Sequence, residues 1–291
     1  MQTMLKAKAK EVVVGPERPF VIIGEKINPT GSKKLAAAIQ EGNLEFVRQL
    51  ALRQVAWGAD VLDLNVGVPG LDEVKAIVEV VRAVAEVVDV PLCIDSGKVD
   101  ILAAGLDACP GKPLVNSVNA ESGQLERILP IVKARGAAVI GLTIAEAGIP
   151  KTPEERLAAA GTIIERAAKL GIPVEDVIID PLVMTVGSDS RAALVTLKTI
   201  ELVRKEYGAN INLGASNVSF GLPERSTVNQ AFLAMAIQAG ATCSITDPIK
   251  LGAIIRASDV LIGRDDFAMR YIKYFRSAEA LREKESNPVS A

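Results

Sequence analysis

Short apolar runs alternate with longer amphipathic segments from residue 20 to residue 275. The short runs are rich in Val, Ile and Leu and are apolar nearly throughout, which is typical of parallel strands buried on both faces. The longer segments repeat apolar residues every three or four positions, which predicts helices, and several of them stop at a glycine. Eight runs predict strands: Phe20–Gly24, Asp60–Val66, Pro91–Asp95, Leu114–Val118, Ala137–Thr143, Val177–Leu182, Asn210–Ser216 and Ala241–Thr246.

The strands and helices follow a repeated unit. The phrases WGADVLDLNV, ARGAAVIGLT and QAGATCSITD share one shape, in which a helix ends, Gly-Ala follows and a β run begins. Eight such units in about 255 residues match the usual size of a (β/α)8 barrel, so we predict a single TIM barrel of the α/β class. A doubly wound open sheet is the alternative, but no G-x-G-x-x-G follows any predicted strand.

The barrel is predicted to span residues 20–276. Residues 1–19 are predicted to be an N-terminal extension, either irregular or a β-ribbon across the bottom of the barrel. Residues 277–291 are rich in charge and end in SNPVSA, so we predict a C-terminal tail that is a frayed helix or unfolded.

Charge and hydropathy exclude several classes of partner. The chain has 33 Lys and Arg against 35 Asp and Glu, a net charge of −2, which gives no basic surface for nucleic acid or an anionic membrane. No segment approaches the roughly 18 apolar residues of a membrane span, and the N-terminus lacks the apolar core of a signal peptide. We therefore expect a soluble, cytoplasmic protein.

Histidine is absent from the 291 residues, and this restricts the chemistry further. A Ser-His or Cys-His nucleophile, an imidazole base and His-ligated zinc or haem are all excluded. The three cysteines, Cys93, Cys109 and Cys243, have no C-x-x-C spacing, so neither a zinc ribbon nor a disulfide framework is expected. Catalysis must use carboxylates, amides, hydroxyls, Arg and Lys, or a group from another molecule.

Polar side chains recur at the carboxyl ends of seven of the eight predicted strands. In a TIM barrel these ends meet at the top rim, where active sites of this fold lie. A single Asp or Asn at such a junction often caps the next helix, but capping does not account for the whole set. The set comprises Glu25, Asn28, Asp63, Asn65, Asp95, Asn116, Asn119, Asp180, Ser216, Asn217 and Asp247.

Carboxylates interleaved with amides favour one kind of ligand. An Asp cluster could hold Mg²⁺ or Ca²⁺, whereas a phosphate site is disfavoured because basic residues and a glycine-rich cradle are lacking. An Asp carboxylate can accept two N–H groups from an amino-pyrimidine edge, and an Asn amide can both donate and accept. The residues therefore favour a guanine-like or pterin-like ring, and no tightly bound metal is predicted.

Seven motifs in order resemble those of pterin-binding methyltransferases: IIGEKINPTG, GADVLDLNVG, CIDSG, LVNSVN, IIDPLV, LGASNVSFGLPER and CSITDP. The chain resembles the methyltetrahydrofolate:corrinoid protein methyltransferases over residues 20–275. That family shares its fold with dihydropteroate synthase and with the folate domain of cobalamin-dependent methionine synthase. The resemblance implies methyl transfer between N5 of 5-methyltetrahydrofolate and the cobalt of a corrinoid on a separate protein that docks at the barrel top. It also implies a homodimer.

The same resemblance assigns roles to individual residues. It implies that Asn217 is catalytic and donates a hydrogen bond to N5. It implies that Arg225 meets the p-aminobenzoyl-glutamate part of the substrate. The remaining substrate-binding residues that it implies are Asp95, Asn116 and Asp180 around the pterin ring, Glu25 and Asp63 beneath it, and Phe220 in the pocket.

Other interpretations of these residues remain open at this point. Glu25 and Asp63 could pair with Lys26 or Lys98 as parts of the rim. A dihydropteroate synthase is expected to carry Ser-Arg-Lys where this chain has Ser-Asn-Val, and to use a histidine that this chain lacks. A non-catalytic folate-binding subunit of a methyl-transfer complex is a further alternative. The direction of transfer and the corrinoid partner cannot be determined from the sequence.

Overall fold

The computed structural model describes residues 1–286, and a closed parallel barrel occupies most of that range. An antiparallel hairpin precedes the barrel. The hairpin strands are β1 (Thr3–Lys6) and β2 (Glu11–Val14), and the barrel strands are β3 (Val21–Ile27), β4 (Val61–Leu64), β5 (Leu92–Asp95), β6 (Leu114–Asn119), β7 (Ala138–Leu142), β8 (Val177–Asp180), β9 (Asn210–Ile211) and β10 (Cys243–Thr246).

Backbone pairing closes the sheet into a barrel. Strand β10 pairs in parallel with β3, with Cys243 opposite Val21. Between β9 and β10, the N–H of Thr242 donates to the carbonyl of Ile211 at 3.1 Å, and a parallel bridge joins Gly214 to Ile245. All eight predicted barrel strands are present, and the predicted (β/α)8 fold is confirmed.

Helices surround the barrel, and local sequence sets their ends. Helix α6 begins with a capping box, in which Thr152 and Glu155 each bind the other's backbone N–H. Helices α5 and α7 end at Gly136 and Gly208, whose φ angles of 59° and 62° suit glycine. The helices are α1 (Lys33–Gln40), α2 (Leu44–Ala56), α3 (Glu73–Val87), α4 (Val99–Ala108), α5 (Ser122–Arg135), α6 (Pro153–Lys169), α7 (Ala192–Tyr207), α8 (Arg225–Ala239), α9 (Pro248–Leu261) and α10 (Met269–Ser286), with short 3-10 helices at Val174–Asp176, Ala215–Ser219 and Asp266–Ala268.

The apolar interior forms separate clusters on the two sides of the barrel wall. The larger cluster lies between the strands and the surrounding helices. The smaller cluster fills the lower part of the barrel interior and includes Ile23, Leu114 and Ile178. The hairpin contributes to this smaller cluster through Leu5 and Val14, so it covers the amino-terminal mouth of the barrel.

Most predicted strands differ from the structure by one to three residues at an end, and one differs by more. The strand predicted at Asn210–Ser216 ends at Ile211, and the chain enters a 3-10 helix at Ala215. Beyond the isolated bridge at Gly214, the N–H of Asn217 donates to the carbonyl of Gly214 at 3.2 Å, a local bond of the 3-10 helix. The second half of that strand prediction is therefore wrong.

The C-terminal segment forms a helix across the predicted boundary at residue 276. Residues 277–286 continue helix α10, because Tyr274 and Ala278 pack on Trp57, and Arg282 lies 5.6 Å from the Trp57 ring centre. The last part of the predicted tail, residues 287–291, lies outside the described residues. No helix in residues 1–286 is long and apolar enough to cross a membrane.

Candidate active site

A ring of polar side chains lies at the top of the barrel interior. Alternate residues of a strand face the same side, so each ring member stands two positions after an interior residue lower in the barrel. On β8, for example, Asp180 follows Ile178, and on β6, Asn116 follows Leu114. The ring consists of Glu25 on β3, Asp63 on β4, Asp95 on β5, Asn116 on β6, Asp180 on β8 and Asn212 just after β9.

Asp63 is buried within this ring, with only 2% of its surface exposed. Asn116 donates its Nδ2 to Asp63 Oδ1 at 3.2 Å, and the thiol of Cys93 is also hydrogen-bonded to this carboxyl group. Burial, reinforced by the charge of Asp95, raises the pKa of Asp63 to about 8. Asp63 is therefore mostly protonated at neutral pH and can donate as well as accept a hydrogen bond.

Asp95 lies beside Asp63 and is held by two amides. Asn65 donates to Asp95 Oδ2 at 3.0 Å, and Asn28 donates to the same oxygen at 3.5 Å. Burial raises the pKa of Asp95, and the hydrogen bond from Asn65 opposes that rise. Asn65 also accepts the N–H of Gly67 at 2.8 Å, so it has a structural role in orienting the Asp95 carboxylate.

Asp180 is held from two directions. Its Oδ1 accepts the backbone N–H of Leu182 at 2.9 Å, and its Oδ2 accepts Nδ2 of Asn212 at 2.8 Å. Burial raises the pKa of Asp180 to about 6, while these hydrogen bonds and the charge of Arg156 oppose the rise. The carboxylate is therefore mostly ionised at neutral pH, in contrast to that of Asp63.

A buried arginine supports the loop that follows Asp180. Arg156 is 3% exposed and donates to the carbonyls of Pro181 at 2.7 Å and Leu182 at 2.8 Å. Leu182 has a φ of 62°, which is unusual for a residue with a branched side chain. The two carbonyl contacts stabilise this conformation, which in turn directs the Leu182 N–H toward Asp180.

Neither Arg156 nor Asn212 was predicted as a site residue. Arg156 lies in an amphipathic helix, where an arginine is ordinarily solvated. Asn212 lies within the apolar-looking run NINLG, but Asn210 and Asn212 are two residues apart, and that spacing was a signal that both side chains face the barrel interior.

The rim beside β3 and β10 contains alternating charges. Lys26 Nζ lies 2.9 Å from Asp247 Oδ2 and 3.4 Å from Glu25 Oε1. Asp247 also caps helix α9 by accepting the N–H of Ile249 at 3.0 Å. The ion pair of Glu25 with Lys26, which the sequence offered as an alternative to substrate binding by Glu25, is therefore present. Lys98 instead forms an ion pair with Glu73, at 2.9 Å.

The 3-10 helix Ala215–Ser219 carries Asn217 at the exposed top of the barrel. Within the described part of the chain, the Asn217 side-chain amide has no hydrogen-bond partner, so it is available to a ligand. Arg225 supports this segment, donating to the carbonyl of Ser216 at 2.8 Å and to Ser219 Oγ at 3.1 Å. Its guanidinium lies 5.7 Å from the ring centre of Phe220, which is 67% exposed.

Two cavities open on the rim. One, of about 420 Å³, is lined by Glu25, Lys26, Arg225 and Lys250, among others, and the second, of about 590 Å³, is lined by Asp95 and its neighbours. Five of the eight predicted site residues, Glu25, Asp63, Asp95, Asn116 and Asp180, are thus members of the ring. The other three, Asn217, Phe220 and Arg225, lie on the outer rim. Within residues 1–286, no group of three or more His, Cys, Asp or Glu side chains is arranged to hold a metal ion.

These acids and amides, at the top of a closed barrel, fall inside the segment matched by a known family. The family described as pterin binding enzyme matches residues 24–247, which include every predicted site residue. The chain belongs to the family of pterin-binding enzymes, and the predicted family resemblance is confirmed.

Three similar proteins indicate which pterin-binding enzymes this chain resembles. The chain is 33% identical over 269 residues to the methylcorrinoid:tetrahydrofolate methyltransferase of Eubacterium limosum, covering 89% of this chain and 97% of that protein. It is 30% identical over 254 residues to the methionine synthase of Mycobacterium leprae (strain TN), covering 82% of this chain but only 21% of that enzyme. The fold is similar to Yersinia pestis dihydropteroate synthase with a pterine-sulfa conjugate, with a TM-score of 0.68, 20% identity, and coverage of 90% of this chain and 99% of that chain.

Proposed function

We propose that the protein transfers a methyl group between N5 of 5-methyltetrahydrofolate and the cobalt of a corrinoid carried by a separate protein. The observation that carries this proposal is the ring of acids and amides at the top of the barrel, together with the side-chain amide of Asn217, which has no hydrogen-bond partner in the described residues. The chain also aligns with a methylcorrinoid:tetrahydrofolate methyltransferase over 97% of that relative. The site offers donors and acceptors that match the edge of a pterin ring.

Asp95, Asn116 and Asp180 bind the pterin ring in this proposal. The ionised carboxylate of Asp180 accepts N–H groups from the 2-amino-4-oxo-pyrimidine edge, and the Asn116 amide pairs with a mixed donor and acceptor edge. Asp63 and Glu25 contact the ring directly or through water. Because Asp63 is mostly protonated at neutral pH, the ring of polar side chains does not carry a second full negative charge beside Asp95.

Asn217 acts on the bond that breaks. The methyl group passes from N5 to the corrinoid Co(I), which supplies the electron pair of the new bond. The pair of the broken bond stays on N5, so its negative character increases until it takes up a proton from water and tetrahydrofolate forms. A hydrogen bond from the Asn217 amide to N5 is therefore stronger in the transition state than in the ground state, which is the condition for catalysis. The partner's corrinoid supplies the cobalt that forms the new bond to the methyl group.

Arg225, Lys26 and Lys250 line the cavity beside Glu25, on the side where the p-aminobenzoyl-glutamate part of the substrate would leave the barrel. Their positive charges suit the glutamate carboxylates. Phe220 lies at the outer edge of this region and offers an exposed apolar surface near the docking corrinoid.

The partner and assembly belong to the same proposal. The corrinoid protein docks over the barrel top, the chain forms a homodimer, and the protein acts in the cytoplasm. Dihydropteroate synthesis is the less favoured alternative, because the chain has Ser216-Asn217-Val218 where basic residues are expected and contains no histidine.

An assay of methyl transfer tests the proposal. Mixing the protein with methyltetrahydrofolate and cob(I)alamin should produce methylcobalamin, which is followed by absorbance. Asn217→Ala should lower the rate by about 10²–10³-fold, as expected for loss of one transition-state donor, with a smaller effect on substrate affinity. Asn43→Ala is a matched control, because the Asn43 side chain caps helix α2.

Each outcome separates the alternatives. Tight binding of methyltetrahydrofolate without turnover in the parent protein would support the non-catalytic folate-binding subunit and contradict the enzymatic proposal. If Asn217→Ala lost affinity but kept the rate of the chemical step, the role proposed for this amide would be wrong.

A further inference from the structure

Asn212 faces Asp180 across neighbouring strands inside the barrel. Its side chain is 1% exposed, and its Nδ2 lies 2.8 Å from Asp180 Oδ2. The other oxygen of Asp180 accepts the N–H of Leu182. Each oxygen of this carboxylate therefore has one donor supplied by the protein, which leaves the remaining lone pairs for a ligand.

The amide of Asn212 is itself oriented from below. The thiol of Cys243 lies 3.5 Å from the carbonyl oxygen of Ile211 and 3.8 Å from Asn212 Oδ1. Burial raises the pKa of Cys243, so the thiol stays protonated and can donate its hydrogen to either oxygen. The amide oxygen thus faces the thiol, and the NH₂ group faces Asp180, where a donor favours the ionised carboxylate.

We propose that Asn212 is a positioning residue that holds Asp180 ionised and oriented toward the pterin ring. This inference rests on the proposed function, because it takes Asp180 as a pterin-binding residue. Asn212 acts through Asp180, and the substrate is not required to touch it.

The groups that face Asp180 determine how its charge responds to substitution. Burial raises its pKa, and the Leu182 N–H, the Asn212 amide and the cation of Arg156 on α6 oppose that rise, while Cys243 on β10 stays neutral. Removing the Asn212 donor removes one of the opposing contributions. The loss of a hydrogen bond to a charged group should raise the pKa of Asp180 by about one to two units.

The variant Asn212→Ala tests the proposal through the pH dependence of tetrahydrofolate binding, measured by titration calorimetry between pH 5.5 and pH 9. The acid limb of the affinity profile is the pH range in which affinity falls as Asp180 becomes protonated. We expect this limb to move upward by about one to two pH units. Affinity at pH 6 should fall by about 5- to 50-fold, and it should recover at pH 9, where Asp180 is ionised in both proteins.

Asn210→Ala is the matched control, because it removes the same kind of side chain two residues earlier, on β9. Asn210 donates to Thr3 Oγ1 and to the carbonyl of Val14 at the bottom of the barrel, each at 2.9 Å. It should alter stability without moving the acid limb. Should Asn212→Ala fail to fold, Asn212→Ser keeps a polar side chain that is too short to reach Asp180.

A second measurement does not depend on substrate. The titration of the Asp180 carboxyl in the free protein, followed by ¹³C NMR, should shift upward in the Asn212 variant and not in the Asn210 variant. An unshifted Asp180 titration, or an unshifted acid limb with measurable binding, would overturn the proposal. Absence of tetrahydrofolate binding by the parent at every pH would instead contradict the proposed function, while the NMR titration still decides the effect on Asp180.

Discussion

The lower and upper halves of the barrel interior are built by the same strands but have opposite chemistry. On β8, Ile178 is buried in the lower apolar cluster, whereas Asp180, two residues later, carries a buried carboxylate. The lower half gains free energy from burial and is closed by the hairpin. The upper half places acids where burial opposes their ionisation. The comparison separates residues that stabilise the barrel from residues that serve the site.

The largest effect is expected from truncation in the lower half. Ile178→Ala should lower the free energy of unfolding by about 2–5 kcal/mol, because it leaves a cavity in a packed interior. Urea denaturation measures this loss. The folded variant should bind tetrahydrofolate with parental affinity, and a large loss of affinity would show that the two halves are not separable.

The matched change in the upper half is Asp180→Asn. Tetrahydrofolate affinity should fall by about 10- to 100-fold, because charge-assisted hydrogen bonds to the ring are lost. Calorimetric titration gives the affinity, and urea denaturation at pH 7 gives the stability. The variant should unfold at the same or a higher urea concentration than the parent, since a buried charge has been removed. A marked loss of stability would contradict a role confined to the site.

The pH dependence of stability should also reflect the upper half. Burial raises the pKa of Asp63 to about 8 and that of Asp180 to about 6, so the folded protein binds more protons than the unfolded chain between pH 4 and pH 8. The contribution of these groups to stability is therefore present at low pH and is lost as pH rises, by up to about 1.4 kcal/mol per pH unit for each group.

Asp63→Asn isolates the alkaline part of this effect. Between pH 6 and pH 8 the free energy of unfolding of the variant should fall less steeply than that of the parent, as measured by urea denaturation at several pH values. Equal slopes in the two proteins would show that Asp63 is ionised in the folded parent at neutral pH.

The smallest effect is expected outside both halves, at the ion pair of Lys98 and Glu73. Lys98→Ala should change the free energy of unfolding by less than about 1 kcal/mol, because the lysine is exposed and its charge is screened. Tetrahydrofolate affinity should stay within a factor of two. A larger loss of affinity would place Lys98 in the site.

The sequence predicted the barrel and most of the ring because both follow from simple periodicities. Apolar runs marked the strands, and Asp95 and Asn116 stood visibly at their carboxyl ends. The end of β9 was not predictable in this way, because a local bond from Asn217 to Gly214 competes with strand pairing. Asn212 was missed because it lies inside the predicted strand Asn210–Ser216 and not at its carboxyl end, although its spacing from Asn210 indicated the interior face.

The buried position of Arg156 could not be predicted from the sequence, for a different reason. In an amphipathic helix it looks like any solvated arginine, and only the tertiary structure brings the carbonyls of Pro181 and Leu182 to its guanidinium. The alternative pairing of Lys98 with Asp63 was similarly undecidable from the sequence. A lysine side chain can reach several acids, and the fold places Glu73 nearest.

The hairpin beneath the barrel has a consequence for how the chain folds during synthesis. Thr3 is bound by Asn210, 207 residues later in the chain, and β3 pairs with β10 near the other end. The hairpin is therefore made well before its partners and cannot reach its final contacts until most of the barrel has been translated. Long sequence separations of this kind slow folding and prolong the exposure of strand edges. We expect the hairpin to reach its final position only after the later barrel strands have formed.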